Sequence, residues 1–161
     1  MVEIIVILMF KSSIIFVQMK AVIFDFNRTL YDPENGAFVE GAISSIESLR
    51  AKKVKLFLVG KGTNERANLI NELGLHRYFD EIVVKEEKSL EDFEGLKKRY
   101  PDEDFYVIGD RVKKEIKYGN QCGFKTIWFK NGKFAEEIPE NPEEKPWKII
   151  ENFGDILKLV K

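Results

Sequence analysis

The sequence predicts an α/β fold of three layers, in which a central parallel sheet is covered by helices on both faces and a short β-type extension precedes it. Three observations lead there. Short unbroken apolar runs, such as Ala21-Val22-Ile23-Phe24 and Phe105-Tyr106-Val107-Ile108, suit strands buried on both faces. Between them lie segments whose apolar residues recur at helical spacing. Strand and helix alternate throughout residues 19–161, and that alternation is the pattern of parallel strands joined by crossover helices.

The elements follow in order. Residues 1–18 carry two apolar runs, 4–10 and 14–17, split by Lys11-Ser12-Ser13. A membrane-spanning helix needs about 20 unbroken apolar residues, and Lys11 interrupts this stretch. Its first charge is Glu3, where a signal peptide would begin with a basic residue. Ile and Val dominate, so two short strands are expected, packed on a sheet edge or used to form a homo-oligomer. A functional start at Met19 is a second reading of this segment, and a membrane anchor is a third.

From residue 19 the first strand is 21–24. A helix is expected over 38–52, from Val39, Ala42, Ile43, Ile46 and Leu49. The second strand is 54–59 and the next helix 64–73, with Gly74 as its C-terminal cap. Residues 82–84 form the third strand. Ser89, with Asp92 three positions on, caps a helix that Pro101 stops. The fourth strand is 105–108, followed by a helix over 112–121 and a fifth strand over 126–129. Residues 131–146 are rich in Pro, Gly, Asn and Glu and read as a loop. A short strand at 147–150 and a helix over 153–160 close the chain.

Composition bounds the function. The chain has 161 residues, 44% of them hydrophobic and 33% charged, enough for one sizeable core. The net charge of −1 leaves no global basic field for nucleic acid or an anionic membrane. One cysteine, Cys122, excludes an internal disulfide, and with the single histidine, His76, it is too little for a Cys/His zinc site. No nucleophile elbow accompanies His76. A cytoplasmic protein is expected.

Ligands of such sheets bind beyond the C-terminal strand ends. There stand Asp25-Phe26-Asn27-Arg28-Thr29-Leu30, then Gly60-Lys61-Gly62-Thr63, then Lys88, then Gly109-Asp110-Arg111 with Glu115 one turn on. A carboxylate directly after a buried strand is costly unless something pairs with it. Two such carboxylates, a lysine and a glycine-bearing loop suggest a Mg²⁺ and phosphate site built on hard oxygen ligands.

These residues resemble the haloacid dehalogenase (HAD) superfamily. Ala21-Val22-Ile23-Phe24-Asp25-Phe26-Asn27-Arg28-Thr29-Leu30 follows its first motif, hhhh-D-x-D-x-[TV]-[LV], except at the second Asp. Residues 105–115 follow its fourth motif, hhhhGD-(x)4-[DE], and the resemblance extends over residues 19–161. It implies a Rossmann-like hydrolase domain. Asp25 would be the nucleophile that becomes an aspartyl-phosphate. Asp25, Asp110 and the backbone carbonyl of Asn27 would hold Mg²⁺. Lys88, or alternatively Lys85, would neutralise Asp25 and a phosphorylated substrate. Thr29 would shape the loop, and Glu115 would support Lys88 or the cation's waters from behind.

Two departures set the expected activity. The family's phosphatases place an acid/base Asp two residues after the nucleophile, and here it is Asn27, which cannot exchange a proton near neutral pH. The second motif ordinarily ends its strand with Ser or Thr. Here Gly60 stands there, so the amides of 60–62, the Lys61 ammonium or Arg28 would hold the anion. Three function classes follow: a slow Mg²⁺-dependent phosphohydrolase, a phosphate- or metal-binding regulatory protein without turnover, and a dehalogenase-like hydrolase. The dehalogenase reading ranks last, because Tyr at position 27 and a helical cap are both missing. Residues 30–54 leave room for one helix and no cap domain. Lys113 and Lys114 read as a solvated helix face, Trp128 and Trp147 as packing residues, and the Glu-rich stretch 136–144 as a solvated loop.

Overall fold

The structure, a computed structural model, describes residues 8–10, 13–15 and 17–161; the remainder of the expected extension lies outside the described residues. β1 (Leu8–Phe10) and β2 (Ser13–Ile15) pair antiparallel, Leu8 opposite Ile15, as two short strands should. They make a sheet of their own rather than lengthening the main one. β3 (Lys20–Phe24) opens the large sheet. β4 (Tyr31–Asp32) and β5 (Ala37–Phe38) form a small hairpin, and α1 (Ala42–Ala51) follows.

That hairpin corrects the helix expected over 38–52. Phe38 pairs with Tyr31, and the Val39 N–H donates to the Leu30 carbonyl at 2.9 Å. Gly41, at φ +79°, then turns the chain into α1. The apolar residues at 38 and 39 serve the hairpin, which periodicity alone could not separate from a first helical turn.

The chain continues through β6 (Lys55–Lys61), α2 (Asn64–Glu72), β7 (Glu81–Lys85), α3 (Leu90–Arg99) and β8 (Asp104–Gly109). The expected cap of α3 is present, with the Ser89 N–H donating to Asp92 Oδ2 at 2.9 Å. A single wide π-type turn, Val112–Ile116, leads into α4 (Lys117–Gln121). β9 (Lys125–Phe129), β10 (Lys148–Ile150) and α5 (Ile156–Leu159) complete it.

The six-stranded sheet runs β10-β9-β8-β3-β6-β7, and every neighbouring pair is parallel. Alternation along each strand divides its core in two. Val22, Phe24, Leu56, Leu58 and Ile108 face α1, α2 and α5 through Ile46, Leu49, Ile70 and Ile156. Ala21, Ile23, Phe57, Val59 and Val107 face α3 through Phe93 and Leu96. Burial of each large side chain contributes about 1.5–3 kcal/mol. β3, buried from Ala21 to Phe24, therefore anchors the strand end where the charged site begins. Among the described residues no helix is long and apolar enough to cross a membrane.

Candidate active site

β3 is the strand from which the sheet grows both ways, toward β6 on one side and β8 on the other. Such a switch in strand order opens a crevice at the C-terminal ends. Phe24 is in register with Ile108, and the Asp25 N–H donates to the Ile108 carbonyl at 3.1 Å. Asp25 and Asp110 consequently leave adjacent strands side by side, and both are buried, Asp110 to 1% exposure. Glu115 joins them from the π-type turn. One oxygen from each of the three carboxylates lies within 4.8 Å of the others.

The wide turn makes this convergence possible. The Ile116 N–H reaches the Arg111 carbonyl, five residues back, at 3.4 Å. Val112 and Ile116 are thereby buried with Trp128, while Glu115 folds over Gly109. A Cβ on Gly109 would come within 2.7 Å of the Glu115 side chain, so only glycine fits beneath it. The Trp128 indole N–H donates to the Asp110 carbonyl at 3.0 Å and fixes the strand end.

Lys88 is the buried counter-ion. Its ammonium donates to Asp25 Oδ1, to Glu115 Oε1 at 2.6 Å and to the Val59 carbonyl at 3.3 Å. Burial acts to lower its pKa, but the Asp25 and Glu115 charges outweigh it and hold the group well above its ordinary value. Lys85, the alternative, is half exposed and pairs with Asp92 instead. Burial, then the Asp25 and Glu115 charges, push Asp110 up to about 8 against the pull of Arg28. Burial also raises Glu115, against the pull of Lys88. Three carboxylates thus share two cations, and the cluster is short of positive charge.

The loop after Asp25 is tightly built. Thr29, fully buried, donates its hydroxyl to Asp25 Oδ2 at 3.3 Å. Arg28 sits at φ +59°, a left-handed backbone that L residues seldom adopt. Its Nε–H donates to Asp110 Oδ2 at 2.7 Å, and its guanidinium lies 4.8 Å from the centre of the Phe134 ring. Asn131 holds the Arg28 carbonyl at 2.9 Å. The side-chain oxygen of Asn27 is buried and has no hydrogen-bond partner, as is Oε2 of Glu115.

Asp25, Asn27, Arg28, Lys61, Lys88, Asp110 and Glu115 line one cleft of about 340 Å³. Gly60 does not. It is buried in β6, with Phe26 on its Cβ side, because the strand runs past the expected end at Val59, on to Lys61. Lys61 reaches the rim but pairs with Glu87 at 2.5 Å, both side chains mostly exposed. Sequence reasoning missed Arg66, Arg111, Lys114 and Phe134, which also line the cleft. Lys113 is the solvated member of its pair, bound to Glu140, whereas Lys114 faces the cleft. The Glu-rich stretch is not wholly solvated either. Glu137 accepts the Val112 N–H at 2.7 Å and pairs with Arg111 at 3.1 Å, and buried Glu144 accepts the Glu140 N–H at 2.8 Å. Only the adjacency of the Val112 turn to this loop could have signalled the capping role of Glu137.

An all-oxygen donor set with excess negative charge and two orphaned buried oxygens fits a hard divalent cation. Anion-binding chemistry is equally at hand, because basic side chains ring the same cleft.

Comparison with known proteins adds an independent line. A HAD-hydrolase-like family model matches residues 87–156. The glyceraldehyde 3-phosphate phosphatase of Methanopyrus kandleri is 31% identical over 129 residues, which cover 74% of this chain and 54% of that protein. The glyceraldehyde 3-phosphate phosphatase of Methanocaldococcus jannaschii is 28% identical over 127 residues, 74% of this chain and 56% of that protein. The chain spans about half the length of the curated relatives it matches. Among solved structures, YfnB of Bacillus subtilis bound to magnesium superposes with a TM-score of 0.72 at 16% identity, over 89% of this chain and 99% of that one. D,D-heptose 1,7-bisphosphate phosphatase of B. bronchiseptica, complexed with magnesium and phosphate, gives 0.67 at 14% identity, over 88% and 97%. These structures share the fold.

Proposed function

We propose, from the premise that this chain belongs to the haloacid dehalogenase superfamily, that it is a Mg²⁺-dependent phosphohydrolase of phosphorylated small molecules. One observation carries this reading: Asp25 and Asp110, at two adjacent strand ends, converge with Glu115 from the π-type turn, and Lys88 bridges Asp25 and Glu115.

Asp25 attacks phosphorus, and the bond from phosphorus to the leaving oxygen breaks as the aspartyl-phosphate forms. Water then attacks that phosphorus, releasing inorganic phosphate and restoring the Asp25 carboxylate. Lys88 offsets the repulsion between the incoming anion and Asp25, while Thr29 keeps Asp25 oriented. Asp25, Asp110 and the backbone carbonyl of Asn27 would hold Mg²⁺. When bound, the cation polarises a phosphoryl oxygen and screens the two anions from each other.

Asn27 stands where a proton would be given to the leaving group and later taken from water. An amide does neither, and such assistance is typically worth about 10²–10⁴ in rate. Turnover is therefore slow and favours esters whose leaving group needs no proton. That same residue supports a second reading, a site that binds metal and phosphate without turnover. The relatives' substrate, glyceraldehyde 3-phosphate, is the first natural ester to try. A cytoplasmic location and self-association through residues 1–18 complete the proposal; deleting that segment while following oligomeric state tests the latter.

The deciding assay follows phosphate release from p-nitrophenyl phosphate and glyceraldehyde 3-phosphate with Mg²⁺. The native chain should turn over slowly, Asp25→Asn not at all, and Asn27→Asp faster by about 10²–10⁴-fold. A native rate that survives in Asp25→Asn ends the aspartyl-phosphate mechanism. Silence in all three proteins, with Mg²⁺ still bound, selects the binding reading.

A further inference from the structure

The end of β6 offers a phosphoryl group no hydroxyl, and the structure shows what stands nearby instead. Gly60 has no side chain and is absent from the cleft wall. Lys61 spends its charge on Glu87 at 2.5 Å, out on the rim. Arg66, in the first turn of α2, lines the cleft with Asp25 and Lys88.

Its position is fixed by packing on both sides. A Cβ on Gly62 would approach Arg66 Cγ to 2.8 Å, so the absence of a side chain at 62 is what lets the arginine stem lie along the strand end. The guanidinium sits 4.8 Å from the centre of the Phe26 ring, which stacks at 5.3 Å on Tyr31. Phe26 directly follows Asp25, so the arginine is held beside the nucleophile loop. Among the described residues Arg66 makes no ion pair, and its Nε–H is buried without an acceptor. A buried donor left unmatched is costly unless a ligand completes it. Desolvation lowers the guanidinium's pKa and the nearby Asp25 charge opposes that; arginine starts so high that the group remains a cation.

We infer that Arg66 is the phosphoryl-oxygen ligand of this site, taking the place that a hydroxyl at the end of β6 would occupy. The planar guanidinium presents paired N–H donors that match two oxygens of one phosphoryl group, which an ammonium cannot do. The inference rests on the reading that a phosphoryl group binds over Asp25.

The test is calorimetric titration of the full chain, saturated with Mg²⁺, with inorganic phosphate. Arg66→Met keeps the stem over Phe26 and should weaken phosphate binding by about tenfold or more. Arg66→Lys should recover only part of the loss, and Lys61→Ala should stay within twofold of the native chain. A circular-dichroism melt of Arg66→Met checks that it folds; if it does not, Arg66→Lys alone decides, with native-like affinity counting against the inference. Loss of binding in Lys61→Ala with native affinity in Arg66→Met overturns it, and so does a native chain that binds no phosphate. Arg66-dependent binding with no hydrolysis in any variant would leave the inference standing and remove the hydrolase reading.

Discussion

The paired ends of β3 and β8 and the lone end of β6 contribute to the same cleft but are built on opposite principles. At β3 and β8, buried charges answer one another: Lys88 bridges two carboxylates and Arg28 holds the third. At β6, an exposed ion pair stands on the rim, while Arg66, half buried, has no partner of its own. The first region is organised in advance of any ligand. The second is left to be completed by one. A cluster whose buried charges pair with one another announces its geometry in the sequence, because each member demands another. An arginine waiting for a ligand demands nothing from the rest of the chain.

Removing the central cation should break the contrast most severely. Lys88→Ala leaves Asp25 and Glu115 buried and facing each other, and losing one partner of a buried ion pair costs about 3–5 kcal/mol. Urea unfolding of the metal-free variant measures it; a loss under about 1 kcal/mol would mean that water, not Lys88, solvates the carboxylates.

The next effect is on pH dependence. Asp110 is raised to about 8 in the folded chain, from an ordinary 3.8. Between those values the folded chain holds a proton that the unfolded chain has released. The stability this group contributes is complete below pH 4, declines as pH rises through the window, and is lost above about 8. On the proposed reading, a Mg²⁺ held by Asp110 would have to expel that proton, so its affinity should rise with pH by up to about tenfold per unit until pH 8. Titrations in buffers of different ionisation enthalpy would register the released proton, and a flat affinity between pH 6 and 8 would contradict the assignment.

Gly109→Ala should follow. The new methyl meets Glu115 at 2.7 Å, and overpacking of this kind costs about 1–3 kcal/mol. Its thermal midpoint should fall, whereas a native midpoint would show that the wide turn can yield. Arg28→Gly should be gentler and opposite in sign for the metal. Glycine suits φ +59°, and freeing Asp110 from its 2.7 Å contact should tighten Mg²⁺ binding by about tenfold, the equivalent of ~1.4 kcal/mol. Weaker Mg²⁺ binding would instead make Arg28 a support for the metal site. At the far end, Lys61→Ala should leave the denaturation midpoint unchanged, because both partners of its pair face solvent.

The parallel sheet, the buried ends at Asp25 and Asp110, the Ser89 cap and, through the family resemblance, the placing of Lys88 beside Asp25 and Glu115 were all legible in the sequence. Each rests on a local rule: an apolar run followed by a charge, a capping pair, a motif at fixed spacing. The β4–β5 hairpin was not legible, because Phe38 and Val39 fit a helical stripe as well as a strand. Nor were Glu137, whose charge looks solvated until the turn at Val112 is brought against it, and Glu144, which is buried by folding back on its own loop at Glu140.

By itself, then, the sequence determined which strands are buried and which charges stand near their ends, since burial patterns are set by neighbours along the chain. Only the tertiary structure decided which of the basic residues face the cleft. Lys113 and Lys114 are adjacent in sequence, yet one turns to Glu140 and the other to the cleft. Arg66 reaches Phe26 across 40 residues of chain. Long cationic side chains choose partners by distance in space, and that distance exists only once β3, β6 and α2 have packed together.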